Sequence, residues 1–437
     1  MTLPRPTDTI GAVSASEPTS LTPQARRRTL LGAGLGWTFD GYETYALILT
    51  LGIALPALLP ANEQARVPFF AGATIALTLF GFAVGGILGG LLADRYGRRP
   101  TLLVTVCAYA AFTGLTALAW DWWSFALLRL LTGVALGSEW GTGAALVAET
   151  WPDRLRARAM SIMQSGIGVG FVAASVVWFV LGPLGPNSWR LMFVVGVVPA
   201  LVALVVRRRV APSPAWTAEH ERTHTDAAAS GSTIRRILRD KPLRRVTLIA
   251  SLMSLATTVG WWGVSTFIPQ YFASVAVPAG WEASRAGSVS GLVYTLGGVA
   301  GLLLVGVLAD ALGRKLTTAV FFAGAFVMTP IVFLPAHTVP VLLVLLFVNG
   351  IVTIGQFGWM AVWLPELYPT SVRATGISLV FNASRFLACI GPLVAGSLIV
   401  AFGGFGTTAT LLGCAYLLGL AVVWFCPETR GKPLPRG

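Results

Sequence analysis

Charge is scarce in this 437-residue chain: Asp, Glu, Lys and Arg make up 11% and hydrophobic residues 55%, where a soluble domain carries about a quarter charged residues. That balance excludes a water-soluble globule. Cysteine and histidine are scarcer still, four and three in all. Cys107, Cys389, Cys414 and Cys426 fall within or beside apolar runs without the spacing of a zinc site, so apolar packing is expected of them and no cofactor or metal. The Gly-x-x-x-x-Gly-Lys-Ser/Thr phosphate loop is missing, which argues against direct drive by ATP. Residues 1–28 are rich in Pro, Thr and Ser, end in Arg26-Arg27-Arg28, and have neither the apolar core nor the small-residue site of a cleaved signal peptide.

Long apolar runs are what the chain has instead, at 29–57, 69–93, 101–120, 123–148, 160–181, 189–206, 246–272, 284–309, 316–334, 340–364, 375–400 and 407–426. A span needs about 20 residues, so twelve membrane helices are expected. The net charge of +13 then reports orientation. With the amino terminus inside, 26 of the 31 Lys and Arg fall in cytoplasmic segments, outer loops hold only Arg66, Arg190 and Arg285, and Arg129 and Arg385 lie in spans. This is the positive-inside pattern, so both termini are expected in the cytoplasm and no nucleic acid is implied. The expected organisation is a tail (1–28), a six-helix bundle (29–206), a polar linker (207–245), a second bundle (246–426) and a tail (427–437).

The two bundles read as a duplication. Gly90-Leu91-Leu92-Ala93-Asp94-Arg95-Tyr96-Gly97-Arg98-Arg99 returns as Gly306-Val307-Leu308-Ala309-Asp310-Ala311-Leu312-Gly313-Arg314-Lys315, with the aspartates 216 residues apart. Glu149-Thr150-Trp151-Pro152 with Arg156 returns as Glu366-Leu367-Tyr368-Pro369 with Arg373, at an offset of 217. One offset for two motifs implies two related halves in parallel. Glycines four apart, such as Gly81, Gly85 and Gly89 or Gly133, Gly137 and Gly141, let helices approach closely, as static packing or as surfaces that slide.

These loops resemble those between the second and third and the eighth and ninth helices of the major facilitator superfamily. The resemblance implies an all-α integral membrane fold of two pseudo-symmetric six-helix bundles. It also implies gating roles for Asp94, Arg95, Gly97, Arg98, Arg99, Arg129, Glu149, Arg156, Asp310, Gly313, Arg314, Glu366 and Arg373. Arg129-x-x-x-Gly133 is similar to the superfamily's fourth-helix motif. Pro427-Glu428-Thr429-Arg430-Gly431 is similar to the ending shared by sugar porters, organic-ion transporters and metabolite:proton symporters. The segment from Val210 to Trp216 is similar to that group's Pro-Glu-Ser-Pro-x-Trp but lacks the glutamate. Gly137-Ser138-Glu139-Trp140-Gly141, Gln164-Ser165-Gly166 and Asp40-Gly41-Tyr42-Glu43 resemble bacterial carboxylate:proton symporters of the sialate, monocarboxylate and aromatic-acid types; Glu43 stands where family members commonly carry Asp.

The membrane charges can be read directly as well. At 1.5 Å per residue, Asp40 lies roughly 18 Å from Arg28, Arg385 roughly 18 Å from Arg373, and Glu139 and Gln356 roughly 15 Å from Glu149 and Glu366. One polar layer near the midplane is expected. Asp40, Glu43, Arg129, Glu139 and Arg385 would each cost at least about 2.5 kcal/mol facing lipid, so they must face one another or a wet cavity. Asp40, with Glu43 one turn on, suits proton or substrate handling or a bond between helices, and Glu139 is the competing proton site. Arg385, with Asn382 on the same face, suits a carboxylate ligand or a permanent salt bridge to Asp40 or Glu139. Arg129 suits gating, helix pairing or substrate. Trp261-Trp262 with Tyr42 and Tyr45 suits a cavity wall or a lipid contact, and Gln164, Gln356 and Asn382 suit hydroxyls. None of the five charges has a charged twin at the offset of 217, so the duplication marks machinery and its failures mark the candidate site.

His220-Glu221-Arg222-Thr223-His224 matches the zinc-protease pattern, but it falls in the polar linker without a third ligand and reads as chance. The expected function is secondary transport of a small carboxylate with protons, by one monomer in a bacterial cytoplasmic membrane. A sugar or polyol porter and an exporter of amphiphiles are the alternatives.

Overall fold

A computed structural model describes residues 22–208, 213, 216–218, 233–265, 268–335, 337–388, 390 and 401–435. The His-Glu-x-x-His segment, Cys389 and most of the tail at 1–28 lie outside the described residues.

The described residues are helical, with no strand among them. In chain order the helices are α1 (Pro23–Leu58), α2 (Val67–Tyr96), α3 (Arg98–Thr116), α4 (Trp122–Thr150), α5 (Asp153–Leu181), α6 (Ser188–Arg208), α7 (Thr233–Arg239), α8 (Lys241–Ser265) and α9 (Ile268–Ala276). There follow α10 (Ala283–Leu312), α11 (Arg314–Phe333), α12 (Val339–Thr353), α13 (Gly358–Leu367), α14 (Arg373–Ala383), α15 (Arg385–Ala388), α16 (Phe405–Gly413) and α17 (Ala415–Val422). Among the described residues, eight helical stretches, two of them joining consecutive helices (Val339–Leu367 and Gly406–Phe425), are long and apolar enough to cross a membrane. Large apolar side chains such as Val104, Leu118, Phe179 and Val344 point outward, as lipid contact requires.

Local chemistry sets the boundaries. Thr22 caps α1 by accepting from the Ala25 N–H, and Asp121 and Ser124 form a reciprocal capping box at α4. Gly97 and Gly313, at φ 99° and 90°, each end one helix and begin the next. Only glycine adopts that backbone freely, which is why the repeated loop keeps it.

The expected run at 340–364 divides: α12 ends at Thr353, a 3-10 turn spans Gly355–Phe357, and α13 begins at Gly358. A Cβ at Gly355 would meet Gly301 and Phe321, and one at Gly358 would meet Val305, so close packing selects glycine at both ends of the turn. The run at 375–400 likewise breaks at Ser384, and Arg385 starts a new helix.

The glycine stripes sit at helix crossings. Cβ atoms at Gly81 and Gly85 of α2 would strike backbone oxygens of Leu130 and Val134, and those at Gly133 and Gly137 of α4 would strike Thr78 and Phe82. The second half repeats this where Gly297 and Gly301 of α10 meet Phe347 and Ile351, and Gly350 of α12 meets Tyr294. Backbones in contact replace the hydrophobic drive that lipid removes. Between the halves, α5 packs on α10 and α2 on α14.

Candidate functional site: a sealed end and a central cavity

The duplicated motifs meet at one end of the molecule. Arg98 donates to the Ala93 carbonyl at 2.9 Å and pairs with Asp94 at 2.9 Å and Glu149 at 3.0 Å. Its twin Arg314 donates to the Ala309 carbonyl at 3.0 Å and pairs with Asp310 at 3.6 Å and Glu366 at 2.8 Å. The clusters then cross between halves. Arg373 pairs with Glu149 at 2.8 Å, and the twin pair, Arg156 with Glu366, stands at 3.8 Å. Asp94 accepts from the Thr375 N–H at 2.8 Å and the Ala374 N–H at 3.3 Å, while Asp310 meets Arg158 at 3.4 Å. Arg95 lies over the Tyr96 ring, and Arg99 stands in the first turn of α3.

Two further segments brace this end. Trp216 donates from its indole to the Asp94 carbonyl at 3.0 Å and lies against Gly97, and the Ser213 hydroxyl donates to Glu149. After α17, Glu428 accepts from the Arg314 and Lys315 N–H groups, each at 3.0 Å, Thr429 donates to Glu366, and the Pro435 carbonyl accepts from Arg373 at 2.8 Å. The sequence marks both segments by resemblance but does not disclose these partners.

Away from that end the halves enclose a cavity of about 100 Å³, lined by Trp37, Asp40, Thr78, Gln164, Phe381 and Arg385 among others. It adjoins a second, of about 320 Å³, lined by Tyr45, Ser265, Tyr294 and Thr295. Phe171, Trp261, Trp262 and Ile354 line both, so the two form one space with apolar and aromatic walls. Of the expected site residues, Asp40, Gln164, Trp261, Trp262 and Arg385 share it.

The others stand elsewhere. Asp40 and Glu43 part company: Glu43 reaches sideways to Arg129 at 3.0 Å, both buried. Arg129 also donates to Thr116 at 2.7 Å and Thr132 at 3.0 Å and lies over the Phe193 ring at 4.6 Å. Tyr42 donates to the Met192 carbonyl at 3.0 Å, joining α1 to α6. Glu139 lines a separate narrow void with Trp37, Trp140 and Met163. Asn382 donates to the Ser378 carbonyl at 2.9 Å beside Gly86. Gln356 is buried in the 3-10 turn, and neither amide atom has a hydrogen-bond partner among the described residues.

Arg385 donates to the Phe381 carbonyl at 2.7 Å and lies 3.8 Å from the Phe381 ring. Sequence reasoning does not single out Trp37, Trp140 and Phe381 as a group, although Phe381 stands one helical turn before Arg385 and Trp140 follows Glu139. Chemically, the cavity offers one acid, one guanidinium and amide and hydroxyl groups within an aromatic shell. A largely apolar cavity with a few convergent polar groups suits the binding of a small molecule.

Comparison with known proteins agrees with this architecture. The model of the Major Facilitator Superfamily matches residues 44–278 and 272–437. A Haemophilus influenzae protein named for metabolite transport is 32% identical over 93% of this chain and 97% of its own. The cis,cis-muconate transport protein of Acinetobacter baylyi is 28% identical over 83% of this chain and 86% of its own. The gentisate transporter of Corynebacterium glutamicum is 27% identical over 94% of this chain and 91% of its own. Among solved structures, the proton:xylose symporter XylE bound to 6-bromo-6-deoxy-D-glucose superposes with a TM-score of 0.77 at 21% identity, over 94% of this chain and 98% of that one. The doubled loops, the glycine crossings and these matches have one explanation: the chain is a multi-pass membrane transporter and belongs to the major facilitator superfamily.

Proposed function

We propose that this transporter carries a small organic anion, a carboxylate, together with protons, by alternating access. The observation that carries the reading is that Asp40 and Arg385 line one cavity whose walls are otherwise largely apolar and aromatic. A guanidinium grips a carboxylate through two parallel hydrogen bonds, and a water-poor aromatic shell strengthens that attraction. Two relatives are named for muconate and gentisate, which fits this chemistry.

In this scheme the braced end is cytoplasmic and closed while the cavity faces outward. Asp40 takes a proton, the carboxylate engages Arg385, and the neutralised site lets the halves rock. Glu139, beyond the cavity floor, is a second station for the proton. Both termini lie inside, uptake is inward across the cytoplasmic membrane, and a monomer suffices. The fold likeness to a xylose symporter, with Gln164 in the cavity, Gln356 in the 3-10 turn and Asn382 on α14, favours a sugar porter as the second reading.

A thermal-shift screen of purified protein against carboxylates and sugars at two pH values separates the readings. Carboxylates are expected to stabilise the wild type more strongly at the lower pH, and Arg385→Ala to lose that response. Stabilisation by sugars alone would overturn the proposal.

A further inference from the structure

The floor of the cavity is a stack built from both halves. The Phe381 ring of α14 lies face to face with Trp140 of α4, centroids 3.6 Å apart and planes inclined by 19°. Trp37 of α1 meets both, at 6.0 Å from each centroid. The Trp140 indole N–H donates to Gln164 of α5 at 2.7 Å, and all three rings are 3% exposed or less. The upper surface of the stack carries Arg385, whose guanidinium lies 3.8 Å from the Phe381 ring. Trp37 lines both the cavity above and the void of Glu139 and Met163 beneath, so the rings separate the two spaces.

We propose that Trp37, Trp140 and Phe381 form the inner gate of the transport path, and that Arg385 is its latch, released when a bound carboxylate draws the guanidinium off the Phe381 ring. Phe381 belongs to one half and Trp37 and Trp140 to the other, so the stack must part before anything passes from the cavity toward the braced end. A guanidinium above an aromatic face is attracted by the ring, and a carboxylate competes for the same cation with a stronger, two-point contact. Once Arg385 turns to the substrate, the cavity-side face of Phe381 loses its partner, and the contacts with Trp140 and Trp37 are left to hold the floor. The gate thereby opens more readily when the site is filled. Phe381 acts through Arg385 and Trp140 and is a positioning residue. The latch rests on the carboxylate reading above; the gate itself does not.

The test places one reporter, Ser265→Cys, in the cavity above the rings, where a reagent from the braced end arrives only after the stack has parted, with Cys107, Cys389, Cys414 and Cys426 replaced by alanine. Inverted membrane vesicles present the braced end to a membrane-impermeant maleimide, and benzoate is the probe ligand. In the parent, slow labelling that benzoate accelerates is expected. Phe381→Leu is expected to label about tenfold faster without ligand, the scale of one lost aromatic pair, and to gain nothing further from benzoate. Phe381→Tyr, which keeps the ring, is expected to restore slow labelling. Equal rates for the parent and Phe381→Leu, or equally fast labelling of Phe381→Tyr and Phe381→Leu, would overturn the gate. If benzoate stabilises the parent against heat yet leaves its labelling rate unchanged, the latch is wrong. If benzoate neither stabilises nor accelerates, the carboxylate reading fails instead, and the ligand-free rates of the variants still decide the gate.

Discussion

Arg373 of the second half donates to Glu149 of the first at 2.8 Å with both side chains fully buried, and Arg98 holds the same carboxylate at 3.0 Å. One acid therefore ties a guanidinium of each half to the other, while Asp94 shares the charge of Arg98 at 2.9 Å. A buried pair contributes little net stability, but removing one partner costs about 3–5 kcal/mol because a buried charge is left behind.

Glu149→Gln is thus expected to destabilise the closed braced end rather than the fold of either half. Spin labels at Arg95→Cys and Leu312→Cys, on the equivalent loops of the two halves, provide the measurement. Pulsed electron resonance should show a longer-distance population in Glu149→Gln that the parent lacks. An unchanged distance distribution would contradict the cross-half role.

The Glu43–Arg129 pair calls for a double-mutant cycle. Glu43→Met and Arg129→Met should each lower the unfolding temperature markedly, with about 3–5 kcal/mol lost in either case. The double variant should be more stable than both, since it leaves no buried charge. Thr116 and Thr132 donate to the Phe112 and Leu128 carbonyls and need no replacement donor. Additive losses would show that the two residues act separately.

Proton coupling is tested by Asp40→Asn and Glu139→Gln in proteoliposomes. The variant lacking the coupling acid is expected to exchange substrate across the membrane, with accumulation falling to the level reached without a pH gradient. Uphill, pH-driven uptake intact in both variants would rule out the scheme.

Glu428, outside the spans, bears on acid stability. Burial opposes its charge, but the N–H groups of Lys315, Arg314, Arg430 and Thr429 hold its carboxyl below the usual range. A group depressed in the folded state stabilises above its unfolded pKa and loses that contribution as pH falls through the folded value. The tail contact should therefore loosen on acidification below about pH 4, the ordinary glutamate range. The effect is small because the group is partly exposed and solvent screens it. Glu428→Gln should flatten the dependence of unfolding temperature on pH in this range; an identical slope would remove Glu428 from the account.

Much of the frame is legible in the amino-acid sequence. The offsets of 216 and 217 predict which residues are twins, and the structure makes Arg98 and Arg314, and Gly97 and Gly313, equivalent in bonding and backbone angle. The midplane layer is harder to read. Asp40, Glu43, Arg129, Glu139 and Arg385 all stand within helices as counting expects, yet Glu43 and Arg129 pair off, Glu139 stands below the aromatic floor, and only Asp40 and Arg385 share the cavity.

What repeats along the chain is written in its residues: the apolar runs, the doubled loops, the glycine crossings and the spacing of each charge from its helix end, because a helix rises by a constant amount per residue. Which charges meet and which rings stack depends on how the helices pack. Partners such as Phe381 and Trp140, or Glu43 and Arg129, are 241 and 86 residues apart and come together through the rotation of each helix about its axis. That rotation is set by the mutual packing of all the helices and by no single segment.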